Sequence, residues 1–145
     1  MKIMGFLFSA LAGAFMSIQG VINTRLNSKI GLWEANAFVQ GTAFLLSLIA
    51  AFIFGKGNFK EITSVPWIYL SGGVFGLLIT AFVILGMDKM SPALTVSVIL
   101  ISQLIVAAII SALGILGTEK VPFGTFQYIG IVLLIAGVIV FKIQK

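Results

Sequence analysis

Charged residues are confined to short clusters along this chain, and the clusters leave five long apolar runs without a single charge. The runs cover residues 3–24, 35–55, 62–87, 90–118 and 121–141 and hold 22, 21, 26, 29 and 21 residues. A helix rises about 1.5 Å per residue, so roughly 20 apolar residues cross the hydrocarbon core of a bilayer. The pattern therefore predicts an all-α integral membrane protein with five transmembrane helices.

The composition excludes several classes of protein. Hydrophobic residues make up 60% of the 145 residues and charged residues 9%, which is too little polar surface for a soluble globule. The net charge of +5 comes from Lys and Arg at the ends of the runs, where they suit lipid headgroups, so nucleic-acid binding is not indicated. Because the chain has no Cys and no His, we expect no metal site, no cofactor and no enzyme of the kinds that need those residues.

The ends of the runs carry helix start and stop signals. We expect spans at approximately 3–27, 33–55, 66–87, 92–115 and 122–142, within a single transmembrane domain over residues 1–145. Ser91 before Pro92 is typical of a helix start, and Gly31 and Gly55 are expected to end helices in the left-handed conformation. The first run is too long for a signal peptide and no small-x-small cleavage site follows it, so we expect it to be a retained span.

The Lys and Arg residues divide almost equally between the two sides of the membrane. Four lie on the N-terminal side and five on the other: Lys2, Lys56, Lys60 and Lys120 against Arg25, Lys29, Lys89, Lys142 and Lys145. Since orientation normally follows an excess of Lys and Arg in cytoplasmic loops, this balance makes dual insertion plausible. Unique insertion, directed by one dominant loop, remains the alternative. Copies inserted in both directions could pair as an antiparallel homodimer, which recreates an inverted repeat.

Small residues recur at four-residue intervals in several spans. Such stripes let helix backbones approach closely in lipid, so they predict helix–helix packing. The positions that we assign to packing are Gly13, Ser17, Ala43, Ser47, Gly72, Gly73 and Gly76.

Polar side chains within the spans predict a second kind of surface. Gln19 and Asn23 lie on one face of the first span, and Trp33, Asn36 and Gln40 lie on one face of the second. Thr80 lies deep in the third span, and Gln103 lies in the fourth. A carboxamide that faced lipid would leave donors and acceptors unpaired, at several kcal/mol each by rough transfer estimates. These faces should therefore point to other helices, through hydrogen bonds, or to a wet cavity. Gln19, Asn23, Asn36, Gln40, Gln103 and Trp33 are our candidates for substrate binding.

The four acidic residues constrain the mechanism. Asp88, Glu61 and Glu119 each stand beside a lysine, which predicts solvated charge pairs in loops. Glu34, at the head of the second span, is the one carboxylate that could face the bundle and serve proton coupling. A cavity of amides without a deep carboxylate suits a neutral or zwitterionic solute as readily as a cation.

Three segments carry a resemblance to a known family. These are LAGAFMSIQGVINTRL at 11–26, WIYLSGGVFG at 67–76 and ISQL at 101–104. With their order along five spans, they resemble a small five-span bacterial family of uncharacterised function within the drug/metabolite transporter superfamily. The resemblance implies a multi-pass protein of the bacterial inner membrane, a half-transporter that is completed by dimerisation. Related four-span multidrug exporters place an essential carboxylate in the first helix, where this chain has Gln19, and this departs from their proton-coupled mechanism.

Two functional hypotheses follow. In the first, the chain is a transporter that moves a small organic solute, a metabolite or a drug-like or cationic compound, by alternating access as a homodimer. In the second, it is a non-transporting membrane subunit or assembly partner whose buried amides only pack helices. The loops are too short to form a docking domain, which favours the transporter.

Overall fold

The computed structural model describes residues 2–122 and 124–143, and over these ranges the chain forms helices and no strand. Five are α-helices: α1 Lys2–Ile30, α2 Leu32–Phe54, α3 Gly72–Lys89, α4 Pro92–Leu113 and α5 Thr125–Ile143. Two 3-10 helices, η1 Phe59–Ser64 and η2 Trp67–Ser71, lie between α2 and α3. Five helical segments are long and apolar enough to cross a bilayer, the third of them being η2 and α3 together, Trp67–Lys89.

Helix ends follow local chemistry. Gly31 alone separates α1 from α2, at φ 96°, and its N–H donates to the Asn27 carbonyl at 2.9 Å. A positive φ is costly for a residue with a Cβ, so glycine suits this one-residue connection. The Ser91 hydroxyl accepts a bond from the Leu94 N–H at 3.4 Å, with Pro92 at the first turn of α4, as expected.

Other boundaries differ from the expectations. Gly55 ends α2 with φ −66°, so the expected left-handed stop at this residue is wrong. Its N–H still donates to the Ala51 carbonyl, and the chain then leaves in an extended conformation. Gly114, which follows α4, is the glycine that adopts the left-handed conformation, with φ 64°. The 3-10 helix η2 precedes α3, and α5 begins at Thr125.

The chain contains two compact units that divide after Lys89. In the first unit α1, α2 and α3 each contact the other two, and the buried side chains include Ala35, Ala81, Ile84 and Met87. In the second unit α4 contacts α5. The expected single domain stays a prediction.

The surfaces of both units carry large apolar side chains. Phe52 on α2 and Phe126 on α5, for example, expose 80% and 87% of their surface. Such exposure would be unfavourable in water, whereas hydrocarbon is a suitable solvent for it. Apart from Met87, the buried hydrophobic and polar side chains of the described residues are small, branched or polar, which is typical of helix contacts in lipid.

Candidate functional site

Two carboxamides of α2 hydrogen-bond to α3. The Asn36 Nδ2 atom donates to the main-chain oxygen of Leu77 at 2.9 Å, and the Gln40 Nε2 atom donates to the Thr80 hydroxyl at 3.2 Å. Asn36 and Gln40 are one helical turn apart, so one face of α2 carries both bonds. This pair therefore performs the interhelical bonding that is one of the two roles expected for polar faces.

Asn36 retains an unused acceptor. The residue is 1% exposed, and its Oδ1 atom is buried without a hydrogen-bond partner among the described residues. A buried acceptor without a partner costs on the order of 1–3 kcal/mol. This oxygen is therefore a place where a water molecule or a donor group of a solute would be stabilised.

Gly76 lies beside the Gln40 carboxamide. A Cβ built on Gly76 would lie 3.6 Å from Gln40 Nε2, which is ordinary van der Waals contact. A small side chain would therefore fit at this position, although Gly76 faces the amide that reaches Thr80. Its role as a helix-packing position stays a prediction.

The polar face of α1 forms a groove. It has a volume of about 500 Å³ and is lined by Gln19 and Asn23 among apolar side chains of the same helix: Ala12, Phe15, Met16, Ile18 and Ile22. Asn23 is 5% exposed, whereas Gln19 is exposed. Neither carboxamide forms a hydrogen bond with any residue in the described ranges. The groove offers amide donors and acceptors on an otherwise apolar surface, and because one helix alone lines it, it is an open depression rather than an enclosed cavity.

The remaining candidates lie outside the buried core of the first unit. Trp33 is 62% exposed at the head of α2, and Glu34 beside it is also exposed. The Glu34 carboxylate turns back toward the α1–α2 connection, where a Cβ built on Gly31 would lie 2.6 Å from its Oε2 atom. Gln103 is exposed on α4, in the second unit.

The other packing positions are open within the chain. A Cβ built on Gly13, Gly72 or Gly73 meets no described atom within 4 Å, and Ala43 and Ser47 are exposed. Ser17 is half-buried, and its hydroxyl donates to the Gly13 carbonyl on the same helix. Their role in packing stays a prediction, which concerns contacts beyond those described.

Gly20 is a close-packing residue that the sequence reasoning missed. A Cβ at this position would lie 2.6 Å from Met87 Cε, 2.8 Å from its Sδ and 3.1 Å from Val83 Cγ1. Met87 is 7% exposed, so α1 and α3 approach each other here. The signal was present, because Gly20 lies three residues after Ser17 on the same face of a helix with 3.6 residues per turn.

The charged loop residues divide into two kinds. Asp88 and Lys89 form an ion pair at 3.5 Å, as expected for neighbours in a solvated connection. Over the described ranges the carboxylates of Glu61 and Glu119 form no ion pair, so their expected pairing with Lys60 and Lys120 is absent there. Within the same ranges no three acidic residues converge as a metal site would require.

A family model matches most of the chain. The family model described as "Putative inner membrane exporter, YdcZ" matches residues 4–140, which span all five long helices. No match was found to a curated protein or to a solved structure. The family is one of transporters rather than a class of enzymes, and with five apolar helices the chain is a multi-pass protein of the inner membrane. The chain belongs to this family of inner membrane exporters.

Proposed function

We propose that this protein exports a small organic solute by alternating access, as a homodimer of two inversely inserted copies. The observation that carries the proposal is the groove on α1, where Gln19 and Asn23 stand among apolar side chains. The family supplies the direction of transport, and the residues of the groove suggest where the solute binds.

Gln19 requires a polar environment. It lies within a charge-free run of 22 residues, and its carboxamide has no hydrogen bond to the described residues. An amide left unpaired in hydrocarbon costs several kcal/mol by rough transfer estimates. Water, a solute or a second copy of the chain must therefore face it, and a transport pathway between two copies supplies all three.

The proposed site combines residues of two kinds. In the first unit Gln19 and Asn23 bind the solute through hydrogen bonds, and Trp33 offers an aromatic face at the start of α2. Gln103, in the second unit, is proposed separately as a residue that hydrogen-bonds the solute. Asn36 and Gln40 hold α2 against α3, and the unused Asn36 oxygen accepts from water or solute. A neutral, zwitterionic or cationic molecule would suit this set, since it lacks a carboxylate deep in a span.

The balance of basic residues supports the antiparallel homodimer. With four Lys and Arg residues on one side and five on the other, neither orientation is favoured. Two opposed copies would together form ten spans with inverted symmetry, the arrangement on which many transporters base alternating access. A Cβ at Gly13, Gly72 or Gly73 would meet no described atom within 4 Å, so these small residues are available for contacts between the two copies.

Glu34 is proposed as the residue of proton coupling. It is an exposed residue in the first turn of α2, directly before the buried residues Ala35 and Asn36. A Glu34→Gln variant removes the titratable group but retains the shape. We expect its transport to lose dependence on a proton gradient, and undiminished proton-driven transport would remove Glu34 from the mechanism.

One observation favours the second function, an assembly subunit without transport. Asn36 and Gln40 both form interhelical bonds, which is the role that this hypothesis assigns to every amide. It predicts that Gln19 also pairs with a partner helix and that no solute binds. The two hypotheses therefore differ at Gln19.

A ligand screen on the purified protein tests the proposed function. A solute that binds the folded state raises its thermal midpoint by mass action. Each stabilising solute is then loaded into vesicles with and without the reconstituted protein. We expect efflux that needs the protein. A folded protein that is stabilised by no metabolite or organic cation, and that releases none of them, would contradict the proposal.

A further inference from the structure

A pocket of about 420 Å³ lies where α2 ends and η1 begins, away from the groove on α1. Its walls include Ala51 from the last turn of α2 and Phe59, Ile62 and Val65 from η1 and the residue after it. Gly55, Gly57, Asn58 and Glu61 complete the lining. The pocket is thus largely apolar, with one carboxylate.

The position of the pocket matches the depth of lipid headgroups. It adjoins the end of a helix that is long enough to span the membrane, and Trp67 and Tyr69 follow in η2. Both aromatic side chains are exposed, at 78% and 56%, as is usual for residues at the membrane–water interface. A lipid could therefore reach this pocket without leaving the bilayer.

One carboxylate lines the pocket, and two lysines adjoin its lining residues along the chain. Glu61 is in its lining, and its carboxylate has neither an ion pair nor a hydrogen bond with the part of the chain that the structure describes. Lys56 lies between the lining residues Gly55 and Gly57, and Lys60 lies between Phe59 and Glu61; both lysines are exposed. The carboxyl end of α2 adds partial negative charge at the same place.

Local hydrogen bonds hold this segment in shape. The Asn58 side chain accepts from the Lys60 N–H at 3.0 Å, and the Glu61 N–H donates to the Asn58 carbonyl at 3.1 Å. The Ser64 hydroxyl donates to the Glu61 carbonyl at 2.7 Å. Lys60 and the Glu61 carboxylate are therefore presented by an ordered turn.

We propose that this pocket binds a zwitterionic phospholipid with a primary ammonium group, phosphatidylethanolamine. The ammonium donates to the Glu61 carboxylate, the phosphate lies near Lys56 and Lys60, and the first part of the lipid tails contacts Ala51, Ile62 and Val65. Charge-assisted bonds of this kind are stronger than neutral ones. Phosphatidylcholine retains the positive charge but has no N–H donor, and phosphatidylglycerol has no cation for Glu61.

Lipid titration of the purified protein in detergent tests the proposal. Phosphatidylethanolamine, phosphatidylcholine and phosphatidylglycerol are compared by the thermal midpoint of unfolding and by native mass spectrometry. We expect phosphatidylethanolamine to bind most tightly to the wild type. Glu61→Gln should weaken it by up to about five-fold, the upper end of the range for an exposed charge pair, and remove the preference over phosphatidylcholine.

Two further variants sharpen the test. Glu119→Gln makes the same change beside Lys120 in another loop and should leave lipid binding unchanged. Gly57→Leu places a side chain where a Cβ meets no described atom within 4 Å, and it should weaken all three lipids by narrowing the pocket. Circular dichroism verifies the fold of each variant.

Several results would overturn the proposal. The first is equal binding of phosphatidylethanolamine to the wild type and to Glu61→Gln. The second is equal binding of phosphatidylglycerol and phosphatidylethanolamine to the wild type. The third is stabilisation by dodecylamine as large as that by phosphatidylethanolamine. The last result would identify a site for any alkylammonium compound, since dodecylamine lacks the phosphate that the lysines attract. This test does not depend on transport, so it can fail or succeed independently of the proposed function.

Discussion

The Asn36 Nδ2 atom on α2 donates a hydrogen bond of 2.9 Å to the main-chain oxygen of Leu77 on α3, while the Oδ1 atom of the same carboxamide is buried without a partner in the described chain. One amide thus pairs two helices and also offers an acceptor. The hydrogen bond to Leu77 holds the two helices together, and the unpaired oxygen is available to accept a hydrogen bond from water or a solute. Substitutions at Asn36 can separate these two roles.

Asn36→Leu keeps the branched shape of the side chain but removes both amide atoms. Loss of the bond to Leu77 costs about 0.6–2 kcal/mol, and removal of the unpaired oxygen returns about 1–3 kcal/mol. We therefore expect the free energy of unfolding, measured in mixed micelles, to stay within about 1 kcal/mol of wild type. Asn36→Ala, which leaves a cavity, should be clearly less stable. A loss of more than about 2 kcal/mol for Asn36→Leu would indicate that a bound molecule already satisfies the oxygen.

The bond from Gln40 to Thr80 predicts an energetic coupling between these residues. Gln40→Leu, Thr80→Val and the double variant form a double-mutant cycle. We expect a coupling energy of about 0.6 kcal/mol, and no more than about 1.7 kcal/mol, as for other hydrogen bonds between membrane helices. Strictly additive effects would show that the 3.2 Å contact contributes nothing to stability.

Gly20 and Gly13 make a matched pair on α1. A Cβ on Gly20 collides with Met87, whereas a Cβ on Gly13 meets no described atom within 4 Å. Because the end of the Met87 side chain can shift, we expect Gly20→Ala to lower the free energy of unfolding by no more than about 1 kcal/mol through overpacking, and Gly13→Ala to leave the monomer unchanged or slightly more stable. Because Met87→Ala would remove the colliding atoms, the double variant should be more stable than expected from the sum of the two changes. Additive losses would argue against this contact.

The orientation of the chain should respond to very few charges. A reporter fused to the C-terminus should be detected on both sides of the membrane. Lys56→Ser with Lys60→Ser changes the Lys and Arg division from four against five to two against five, and it should place the C-terminus in the cytoplasm. Lys29→Ser with Lys89→Ser gives four against three and should shift the population the other way. Signal from one side only in the wild type would exclude dual insertion.

The sequence was most informative where physical chemistry is local. Runs without charge predicted five helices long enough to span a bilayer, and Ser91 with Pro92 marked the start of α4, because a hydroxyl acceptor and a restricted φ act within a single turn. Gly55 shows the limit of such rules. Glycine permits the left-handed conformation but does not require it, and the extended conformation was adopted instead.

The candidate site was predictable in part. Spacing placed Gln19 and Asn23 on one face of α1, and both line the groove. The partner of Asn36 could not be predicted, since a main-chain carbonyl such as that of Leu77 has no signature in a sequence. Gly20 was missed because small residues were counted only at intervals of four. A helix has 3.6 residues per turn, so residues three apart, such as Ser17 and Gly20, also lie on the same face.

The pocket beside η1 also lay beyond sequence reasoning. The adjacent positions of Lys60 and Glu61 predict an ion pair in the loop. The side chains of adjacent residues need not point toward each other, however. Only the three-dimensional course of residues 51–65 places Glu61 and Ala51 in the lining of one cavity.

Transport by Gln19→Leu in reconstituted vesicles tests the account most directly. Gln127→Leu, the same change at the start of α5, serves as the matched control, and gel filtration and circular dichroism verify assembly of both variants. The account predicts that Gln19→Leu assembles normally but loses most protein-dependent efflux of a solute that stabilises the wild type, while Gln127→Leu retains it. Full efflux by a correctly assembled Gln19→Leu variant would contradict the account and leave Gln19 as a residue of helix packing alone.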